Sequence, residues 1–512
     1  MSEKLFKSTA IVSMMTFISR ILGFIRDIVI ARMFGAGLGA DVFFVAFKIP
    51  NFLRRLFAEG AFSQAFIPVL AEYRQRGDKD LKQLIANTSG TLAGILFVIT
   101  ALGVIAAPLL IMIFSPGFIS DPHKIGLAGD LLKITFPYLF FISLTAFAGA
   151  ILNSFGKFAV PAFTPVFLNL SLIGCAVWLS PHLDEPVVAL AWGVFIGGVV
   201  QLLFQIPFLI KLGQLPKPRW AWKDSGVKKI TTLMIPAMFG VSVSQINLLL
   251  DTLLASFLVT GSISWLYYSD RLVEFPLGIF GIALSTVILP SLSKKHASAS
   301  KAEFSHTIDW ALRWVFIIAT PAAIGLVWLA EPLLMTLFQY GEFSAEDAHQ
   351  ASLSLMAYGL GLLPFIFIKV LAPGYYARQD TKTPVKIGII AMVTNMVLNI
   401  ILMMHYAHVG LALATSLSAA LNAGLLYIGL RKADVYQPDI GWGRFILKLV
   451  IPNSLLLLLL FWFTPEISEW TEGSVWQRVT MLFSLIAGAM LAYFAALSLV
   501  GINVKRLLKP NG

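Results

Sequence analysis

The stretch that decides the fold class is residues 92–114, LAGILFVITALGVIAAPLLIMIF, which carries no charged side chain. A helix needs about 20 apolar residues to cross roughly 30 Å of hydrocarbon. Residues 190–210 and 482–500 repeat the pattern, and of all 512 residues 58% are hydrophobic and only 13% are charged. A soluble domain carries about 25% charged residues. The chain is therefore predicted to be an all-α polytopic membrane protein.

Fourteen segments are predicted transmembrane helices, and the charges of their connections give their orientation. The predicted cytoplasmic connections are basic, as at Arg74 and Lys211, whereas the predicted external ones are neutral or acidic apart from Lys124 and Arg478. Basic loops stay on the cytoplasmic side of a membrane. We therefore expect an inner-membrane protein with both termini in the cytoplasm, and the net charge of +11 does not indicate nucleic acid binding. The predicted spans are residues 8–34, 39–70, 86–114, 131–154, 160–180, 187–210, 230–258, 264–292, 307–338, 347–376, 384–404, 408–430, 445–464 and 476–501.

A weak internal repeat predicts two lobes. The tripeptide at residues 61–63, followed by Pro68, matches the tripeptide at residues 283–285, followed by Pro290, at an offset of 222 residues. Six spans per half make this a parallel pseudo-symmetric repeat, and transporters of that kind bind their substrate in a central cavity between the halves. The predicted regions are an N-lobe at 1–210, a basic cytoplasmic linker at 211–229, a C-lobe at 230–430, and two extra helices with a cytoplasmic tail at 431–512.

Ionisable residues at membrane depth are rare and costly, and here they cluster in the first, second and eighth spans. Seven are positive and five are negative, so the surplus of +2 predicts an anionic guest, and the planar fork of arginine suits the oxygens of a diphosphate. Local ion pairs of Arg55 with Glu59 and of Arg271 with Glu274 are the structural alternative. The clustered residues are Arg20, Arg26, Asp27, Arg32, Asp41, Lys48, Arg54, Arg55, Glu59, Asp270, Arg271 and Glu274.

The spacing of these residues predicts one polar face on the second span. Asp41, Lys48 and Arg55 are seven residues apart and Glu59 follows four residues later, which places all four on the same side of a helix. Pro50 and Pro276 predict breaks in the second and eighth spans, and broken helices are tolerated at membrane depth where they line a cavity.

Three motifs resemble one known family. Residues 19–72 read SRILGFIRDIVIARMFGAGLGADVFFVAFKIPNFLRRLFAEGAFSQAFIPVLAE, residues 268–294 read YSDRLVEFPLGIFGIALSTVILPSLSK, and residues 378–387 read RQDTKTPVKI. The first motif is highly specific. It closely resembles the MurJ (MviN) family of bacterial lipid II flippases, within the multidrug/oligosaccharidyl-lipid/polysaccharide exporter superfamily. The resemblance covers essentially the whole chain.

The resemblance implies a substrate and a site. The substrate is lipid II, an undecaprenyl-diphosphate that carries the disaccharide-pentapeptide of peptidoglycan. The family's cavity residues match Arg20, Arg26, Asp41, Arg54 and Arg271, and its last two helices form a groove for the polyprenyl tail. Asp27, Arg55, Glu59, Asp270 and Glu274 are candidate supporting residues of the cavity.

The resemblance also bears on coupling and partners. Some family members have a cation site in the C-lobe, for which Asp251 and Asp380 are the candidates; the alternative for Asp251 is a hydrogen bond to a neighbouring helix. No cofactor or metal centre is expected, and a monovalent cation or the membrane potential would supply coupling. The expected partners are lipid II, membrane lipids and cell-wall synthesis machinery, with the protein itself a monomer.

Other functions are weighed against this one. An enzyme is disfavoured because the chain has neither a G-x-x-x-x-G-K-[ST] phosphate loop nor an H-E-x-x-H metal motif. A drug/cation exporter is disfavoured by the surplus of arginine. A flippase of the O-antigen type, which also handles a lipid diphosphate, and a non-transporting scaffold of a cell-wall complex stay open as alternatives.

Overall fold

The computed structural model describes residues 3–56, 61–297 and 300–502, and these residues are helical, with no strand among them. The chain forms two compact units, Met1–Ser264 and Trp265–Gly512. The predicted lobe and linker boundaries lie elsewhere along the chain and remain a prediction.

The first unit contains eleven α-helices and the start of a twelfth. They are α1 Glu3–Phe34, α2 Leu38–Arg54, α3 Phe62–Arg76, α4 Asp78–Ile105, α5 Ala107–Phe114, α6 Pro122–Thr135, α7 Tyr138–Ser154, α8 Ala159–Phe163, α9 Pro165–Gly174, α10 Val188–Lys211, α11 Ser225–Ala255 and α12 Ser262–Pro276. Shorter turns join them, with 3-10 geometry at Pro116–Ser120 and Ser180–His182 and π geometry at Cys175–Leu179.

The second unit continues from α12 through a π-helical turn, Leu277–Gly281. Its helices are α13 Ile282–Ala297, α14 Lys301–Trp328, α15 Ala330–Phe338, α16 Ala345–Leu360, α17 Leu362–Tyr376, α18 Lys382–Lys432, α19 Trp442–Phe463, α20 Ile467–Glu472 and α21 Val475–Leu499. Helix α18 is two helices joined at Ala407, where φ is 48° and ψ is −129°.

Nine helices in the described ranges are long and apolar enough to cross a membrane. Because α18 bends at Ala407, it covers two of the predicted spans. The four remaining predicted spans are residues 8–34, 39–70, 230–258 and 264–292, and helices are present in each of them. Three of these four spans contain the clustered charged residues. The predicted all-helical membrane fold is thus confirmed, and the total of fourteen crossings remains a prediction. The nine are Asp78–Ile105, Pro122–Ser154, Ala159–His182, Val188–Lys211, Lys301–Trp328, Ala345–Tyr376, Lys382–Lys432, Trp442–Phe463 and Val475–Leu499.

The predicted break at Pro50 is wrong, because α2 continues through this residue to Arg54. Proline has no N–H, so the carbonyl four residues earlier, that of Ala46, loses its helical donor. The hydroxyl of Thr135 on α6 donates to this carbonyl at 3.4 Å. A neighbouring helix therefore supplies the missing hydrogen bond, as membrane helices often require. At Pro276 the break is present, since α12 ends there.

Small residues let the helices of the first unit approach one another closely. A Cβ added at Gly197 of α10 would lie 2.8 Å from the side chain and 3.1 Å from the Cα of Leu168. One added at Gly198 would lie 2.8 Å from the ring of Tyr138 on α7. Lipid gives helices little hydrophobic reason to associate, so close packing of this kind stabilises the bundle.

A buried carboxylate fixes the start of the last helix pair in the second unit. Asp309 on α14 accepts hydrogen bonds from the Tyr436 hydroxyl (2.8 Å), the Trp442 indole N–H (2.5 Å) and the Asp439 N–H (3.2 Å), and it pairs with Arg313 at 2.8 Å. Three of these donors belong to the segment that leads from α18 into α19. The Asp309 cluster thereby attaches α19 to α14.

Arg478, an exception to the predicted charge bias of the connections, is buried for a comparable reason. Its guanidinium donates to the carbonyls of Met335 (3.1 Å), Gln339 (3.2 Å) and Thr471 (2.6 Å). Carbonyl oxygens therefore solvate this charge inside the protein, and its position reflects packing of α21 rather than membrane orientation.

Asp309→Ala should destabilise the second unit strongly, because it leaves Arg313 and three further donors, the buried Tyr436 hydroxyl among them, without their acceptor. We expect a loss of about 3–5 kcal/mol, as for other broken buried pairs, visible as a lower midpoint of thermal unfolding in detergent. Glu342→Ala removes an exposed carboxylate elsewhere in the second unit and serves as the control. Equal midpoints for the two variants would contradict the assignment.

Candidate functional site

Arg26 is buried on α1 and is held by two neighbours. Its Nε and Nη2 donate to Asp27 Oδ1 at 3.0 and 2.7 Å, and its Nη1 donates to Asn169 Oδ1 at 3.0 Å. The Asn169 amide in turn donates to the Ser19 carbonyl at 3.2 Å. Only 9% of Arg26 is exposed. A buried charge is tolerated when it is paired and hydrogen-bonded, and these contacts also fix the direction of the guanidinium.

Arg20 lies on the same continuous helix and is exposed. It precedes Asp27 by seven residues, so the two share a face and are separated by about 10 Å of helix rise. Helix α1 thus carries the exposed Arg20 and, two turns further, a buried arginine–aspartate pair, and a second exposed arginine, Arg32, lies in its last turn. The ion pair of Arg26 with Asp27, at 2.7 Å, was not among the local pairs that the sequence suggested.

Asp41 is also buried, with 3% exposed, and its carboxylate receives three hydrogen bonds. Oδ2 accepts from the Gly261 N–H at 2.6 Å, and Oδ1 accepts from the Ser264 N–H at 2.9 Å and from the Ser264 hydroxyl at 2.6 Å. These donors lie at the beginning of α12, where free N–H groups and the helix dipole favour an anion. In this structure Asp41 binds protein donors that join α2 to the start of α12.

Two further contacts lie beside this connection in the first unit. The Gly117 N–H donates to the Ser256 hydroxyl at 3.1 Å, and Lys124 Nζ donates to the Thr260 hydroxyl at 2.7 Å. A Cβ at Gly117 would lie 2.2 Å from the Ser256 carbonyl oxygen, so the two segments touch through their backbones. We call the contacts of Asp41, Gly117 and Lys124 with residues 256–264 the latch.

The other charged residues of α2 are half-buried. Arg54 Nε donates to the Asn51 side chain at 2.9 Å, which turns the guanidinium along its own helix. Lys48 and Arg55 are half-buried as well. Glu59, the last member of the predicted polar face, lies outside the described residues, so the predicted pairing of Arg55 with Glu59 stays a prediction.

Arg271 lies in the second unit and forms the predicted local pair. Its Nη1 donates to Glu274 Oε2 at 2.7 Å, its Nη2 donates to the Tyr267 hydroxyl at 3.3 Å, and its guanidinium lies 5.0 Å from the centre of the Tyr267 ring. Asp270 and Glu274 are exposed. A pair that is open to solvent in this way contributes at most about 1 kcal/mol.

The two candidate cation residues differ in environment. Asp251 is half-buried on α11 in the first unit. Asp380 lies in the connection before α18 and accepts from the Thr383 N–H at 3.0 Å, an interaction that lowers the pKa of its carboxyl. Asp380 therefore acts as a cap for α18. Within the part of the chain that the structure describes, no three His, Cys, Asp or Glu side chains are grouped so as to hold a metal ion.

Sequence reasoning missed several uncharged polar residues that organise these sites. Asn169 orients Arg26, and Ser264 completes the hydrogen bonds of Asp41. On α18, the buried Asn399 donates to Asn395 at 3.0 Å, and Asn395 donates to the Thr415 hydroxyl at 3.4 Å. For Asn395 and Asn399 a signal was available, namely two amides four residues apart inside an apolar run. A search for charged residues alone does not detect it.

These features define a class of protein: a polytopic helical transporter rather than an enzyme. The fold is similar to the inward-facing conformation of a multidrug resistance MATE family transporter of the MOP superfamily, with a TM-score of 0.66 at 14% identity over 83% of this chain and 98% of that chain. At this identity the likeness concerns the fold alone.

The chain belongs to the MurJ family. The family model described as "Lipid II flippase MurJ" matches residues 30–481. The chain is 55% identical to the probable lipid II flippase MurJ of Vibrio cholerae, over 99% of this chain and 98% of that one, and 53% identical to that of Haemophilus influenzae, over 97% and 100%. A solved structure, "Lipid II flippase MurJ, inward closed conformation", has a TM-score of 0.81 at 28% identity and covers 97% of this chain. The predictions of family, of a multi-pass inner-membrane location and of a transporter rather than an enzyme are thus confirmed.

Asn169→Ala should weaken the Arg26 site without removing its charge. The substitution leaves a buried guanidinium N–H without its acceptor, and we expect a loss of about 1–3 kcal/mol. Thermal unfolding of the purified protein would report it as a lower midpoint. Ser171→Ala, a half-buried position on the same helix, is the control; an Asn169→Ala midpoint equal to that of the control would show that the contact does not hold Arg26.

Proposed function

We propose that this protein moves lipid II from the cytoplasmic to the periplasmic leaflet of the inner membrane by alternating access. Its diphosphate headgroup would bind arginines in a central cationic cavity while the polyprenyl tail stays in lipid. The family membership over nearly the full chain length supports the substrate, since the relatives it matches are described as lipid II flippases. No feature of the described residues favours an O-antigen-type substrate or a scaffold over this reading.

The observation that carries the proposal is the pair of arginines, Arg20 and Arg26, on α1, a helix that we propose crosses the membrane. A charged side chain at the centre of a membrane helix costs about 2.5–3.5 kcal/mol on insertion scales. Arg26 is held by Asp27 and Asn169, and the exposed Arg20 lies on the same helix. Arginine binds phosphate oxygens through two parallel hydrogen bonds, so a pre-oriented and an exposed guanidinium together suit a diphosphate.

The latch supports an alternating mechanism. All three of its contacts join connections that are predicted to be external, namely those before α2, after α5 and before α12. Hydrogen bonds to a charged group contribute about 1.5–3 kcal/mol each, so the three bonds to Asp41 would hold this end closed. Outward release of the headgroup would require these bonds to break, which gives Asp41 a gating role rather than direct contact with the substrate.

A cavity of about 550 Å³ between α19 and α21 supports the proposed path of the tail. Its lining is almost entirely apolar, which suits an isoprenoid chain and would not hold a headgroup. The lining includes Leu459, Leu460, Phe463, Met481, Leu485 and Ala489. Because the Asp309 cluster attaches α19 to α14, we infer that this groove keeps its place in the second unit.

Return of the empty transporter needs an energy source, and we propose the membrane potential or a monovalent cation gradient. Cytoplasmic termini, a monomeric state, and contact with cell-wall synthesis machinery and membrane lipids belong to the same proposal. Asp251 remains the candidate for a cation ligand, while the capping role of Asp380 makes it the weaker of the two.

Arginine substitution should abolish transport while leaving the protein in the membrane. In a bacterium depleted of its own lipid II flippase, the wild-type chain should restore lipid II exposure at the outer leaflet. Arg20→Ala, Arg26→Ala and Arg271→Ala should not, at matched membrane levels. Arg26→Lys keeps the charge but lacks the two-pronged geometry, so we expect only partial rescue.

Arg444→Ala is the matched control, because it removes an exposed arginine at the start of α19. It should rescue like the wild type. If the wild-type protein is well inserted yet no lipid II is exposed at the outer leaflet, the proposed substrate is wrong. Full rescue by the three alanine variants would remove the cationic site.

Asp41→Asn should open the latch. The amide keeps one acceptor but turns N–H groups towards the N–H donors of Gly261 and Ser264, so repulsion replaces one set of bonds. A cysteine placed at the buried Ser262, in a chain whose Cys175 is replaced by serine, should then react faster with a membrane-impermeant maleimide added to intact cells. Lys124→Gln, which keeps a donor for Thr260, should change labelling little. Unchanged labelling in Asp41→Asn would show that Asp41 does not hold this end closed.

A further inference from the structure

The segment between α10 and α11, residues 212–224, is fastened to the surface of α4. Sequence analysis predicted it as part of a linker between lobes. Hydrogen bonds attach it along its length, and we call it the strap. The bonds run from Gln214 Nε2 to Asp78 Oδ1 (3.1 Å), from the Arg219 N–H to the Ala86 carbonyl (3.0 Å), from the Ala221 N–H to the Thr91 hydroxyl (3.0 Å) and from Asn87 Nδ2 to Asp224 Oδ2 (3.1 Å).

Two glycines of α4 create the space in which the strap lies. A Cβ at Gly90 would be 2.3 Å from the Arg219 backbone nitrogen, and one at Gly94 would be 2.6 Å from the Trp220 ring. A glycine pair at this spacing commonly lets two membrane helices approach each other. Here the same spacing admits an extended segment, so the position of the strap is built into the sequence of α4.

The outer side of the strap combines exposed aromatic and basic side chains. Trp220 is 64% exposed and Trp222 is 48% exposed. Lys217, Arg219 and Lys223 are exposed between and beside them. The single acidic residue of the strap is Asp224, which accepts from Asn87 and from the first N–H groups of α11. The outward face is therefore cationic with large apolar rings, and its acidic group is engaged elsewhere.

The strap also lies at the depth of a membrane interface. The part of the strap from Arg219 to Asp224 contacts α4 between Ala86 and Gly94, about 6 to 18 Å of helix rise beyond Lys82, the last charged residue of that helix. Tryptophan is enriched at the boundary between headgroups and hydrocarbon. Lysine and arginine near the cytoplasmic leaflet are attracted to anionic lipids, while their long side chains reach outward to the headgroups.

We propose that the strap is a binding site for the headgroups of anionic phospholipids in the cytoplasmic leaflet. The tryptophan rings would lie among the upper acyl chains, and the three basic side chains would bind the lipid phosphates. The strap would thereby fix the first unit at a set depth in the membrane. This inference rests on the proposed function only for the cytoplasmic location of the strap.

Native mass spectrometry of the full-length protein with phosphatidylglycerol tests the site without any lipid II. Each basic residue near an anionic surface adds about 1 kcal/mol, or roughly fivefold. The triple variant Lys217→Gln, Arg219→Gln and Lys223→Gln should therefore bind phosphatidylglycerol at least about tenfold more weakly. Binding of phosphatidylcholine should not change.

The matched control removes three other basic residues that are exposed and predicted to be cytoplasmic, by Lys301→Gln, Lys382→Gln and Lys432→Gln. It should retain binding within about twofold of the wild type, because these positions lack exposed tryptophans and lie far from α4 in sequence. Equal losses in the two triple variants would show general surface charge and overturn the proposal. Wild-type binding by the strap variant would overturn it as well.

Fluorescence quenching provides a second test in vesicles. At equal low fractions in phosphatidylcholine, brominated phosphatidylglycerol should quench the protein more than brominated phosphatidylcholine does, and salt should reduce the difference. Trp220→Phe with Trp222→Phe should remove most of the difference. Gly94→Leu, which displaces the Trp220 ring while keeping every charge, should reduce it. An equal effect of the two brominated lipids on the wild type would overturn the proposal.

Discussion

The structure depends on one constraint: a charge inside a membrane protein needs partners that replace water. Arg26 finds a carboxylate and an amide, Asp309 finds two aromatic donors, a backbone N–H and an arginine, and Arg478 finds three carbonyl oxygens. Because leaving such a group unpaired costs several kcal/mol, each partner set determines where its helix lies. The polar residues therefore specify the arrangement of helices whose apolar surfaces alone would pack in many ways.

The same constraint separates contacts that are permanent from contacts that can exchange. The donors to Asp309 include the side chains of Tyr436, Trp442 and Arg313, which converge on this one carboxylate and attach α19 to α14. The donors to Asp41 are N–H groups at the beginning of α12, which water could satisfy if the latch opened. A helix start can thus lose its carboxylate at modest cost. This difference is why we assign a gating role to Asp41 and a structural role to Asp309, although both carboxylates are buried.

The sequence predicts much of the fold because length and the absence of charge are sufficient to identify a membrane helix. The local pair of Arg271 with Glu274, which the sequence offered as the structural alternative to a binding role, is present, since residues three apart on a helix meet. Sequence reasoning fails where the outcome depends on a distant partner. Pro50 does not break α2, because Thr135 supplies a hydrogen bond to Ala46. Asn169 meets Arg26 across 143 residues of sequence, and no periodic pattern encodes that contact. The substrate contacts of Arg20, Arg54 and Arg271 stay a prediction.

The boundary of the first unit shows why a lobe in sequence and a unit in space differ. The repeat assigns α11 to the C-lobe, yet both ends of α11 are bound within the first unit. At one end Lys229 pairs with Glu72 at 2.5 Å, and at the other Ser256 accepts from Gly117. The pair of Lys229 with Glu72 is open to solvent, and ion pairs of that kind contribute little to stability. The hydrogen bonds of the strap to α4 give this end of α11 further support. In the proposed alternating mechanism, the latch at the Ser256 end of α11 is the contact that opens. Breaking it would free the start of α12 and leave the strap in place on α4. The compact units of this structure and the two halves of the sequence repeat therefore need not have the same boundaries.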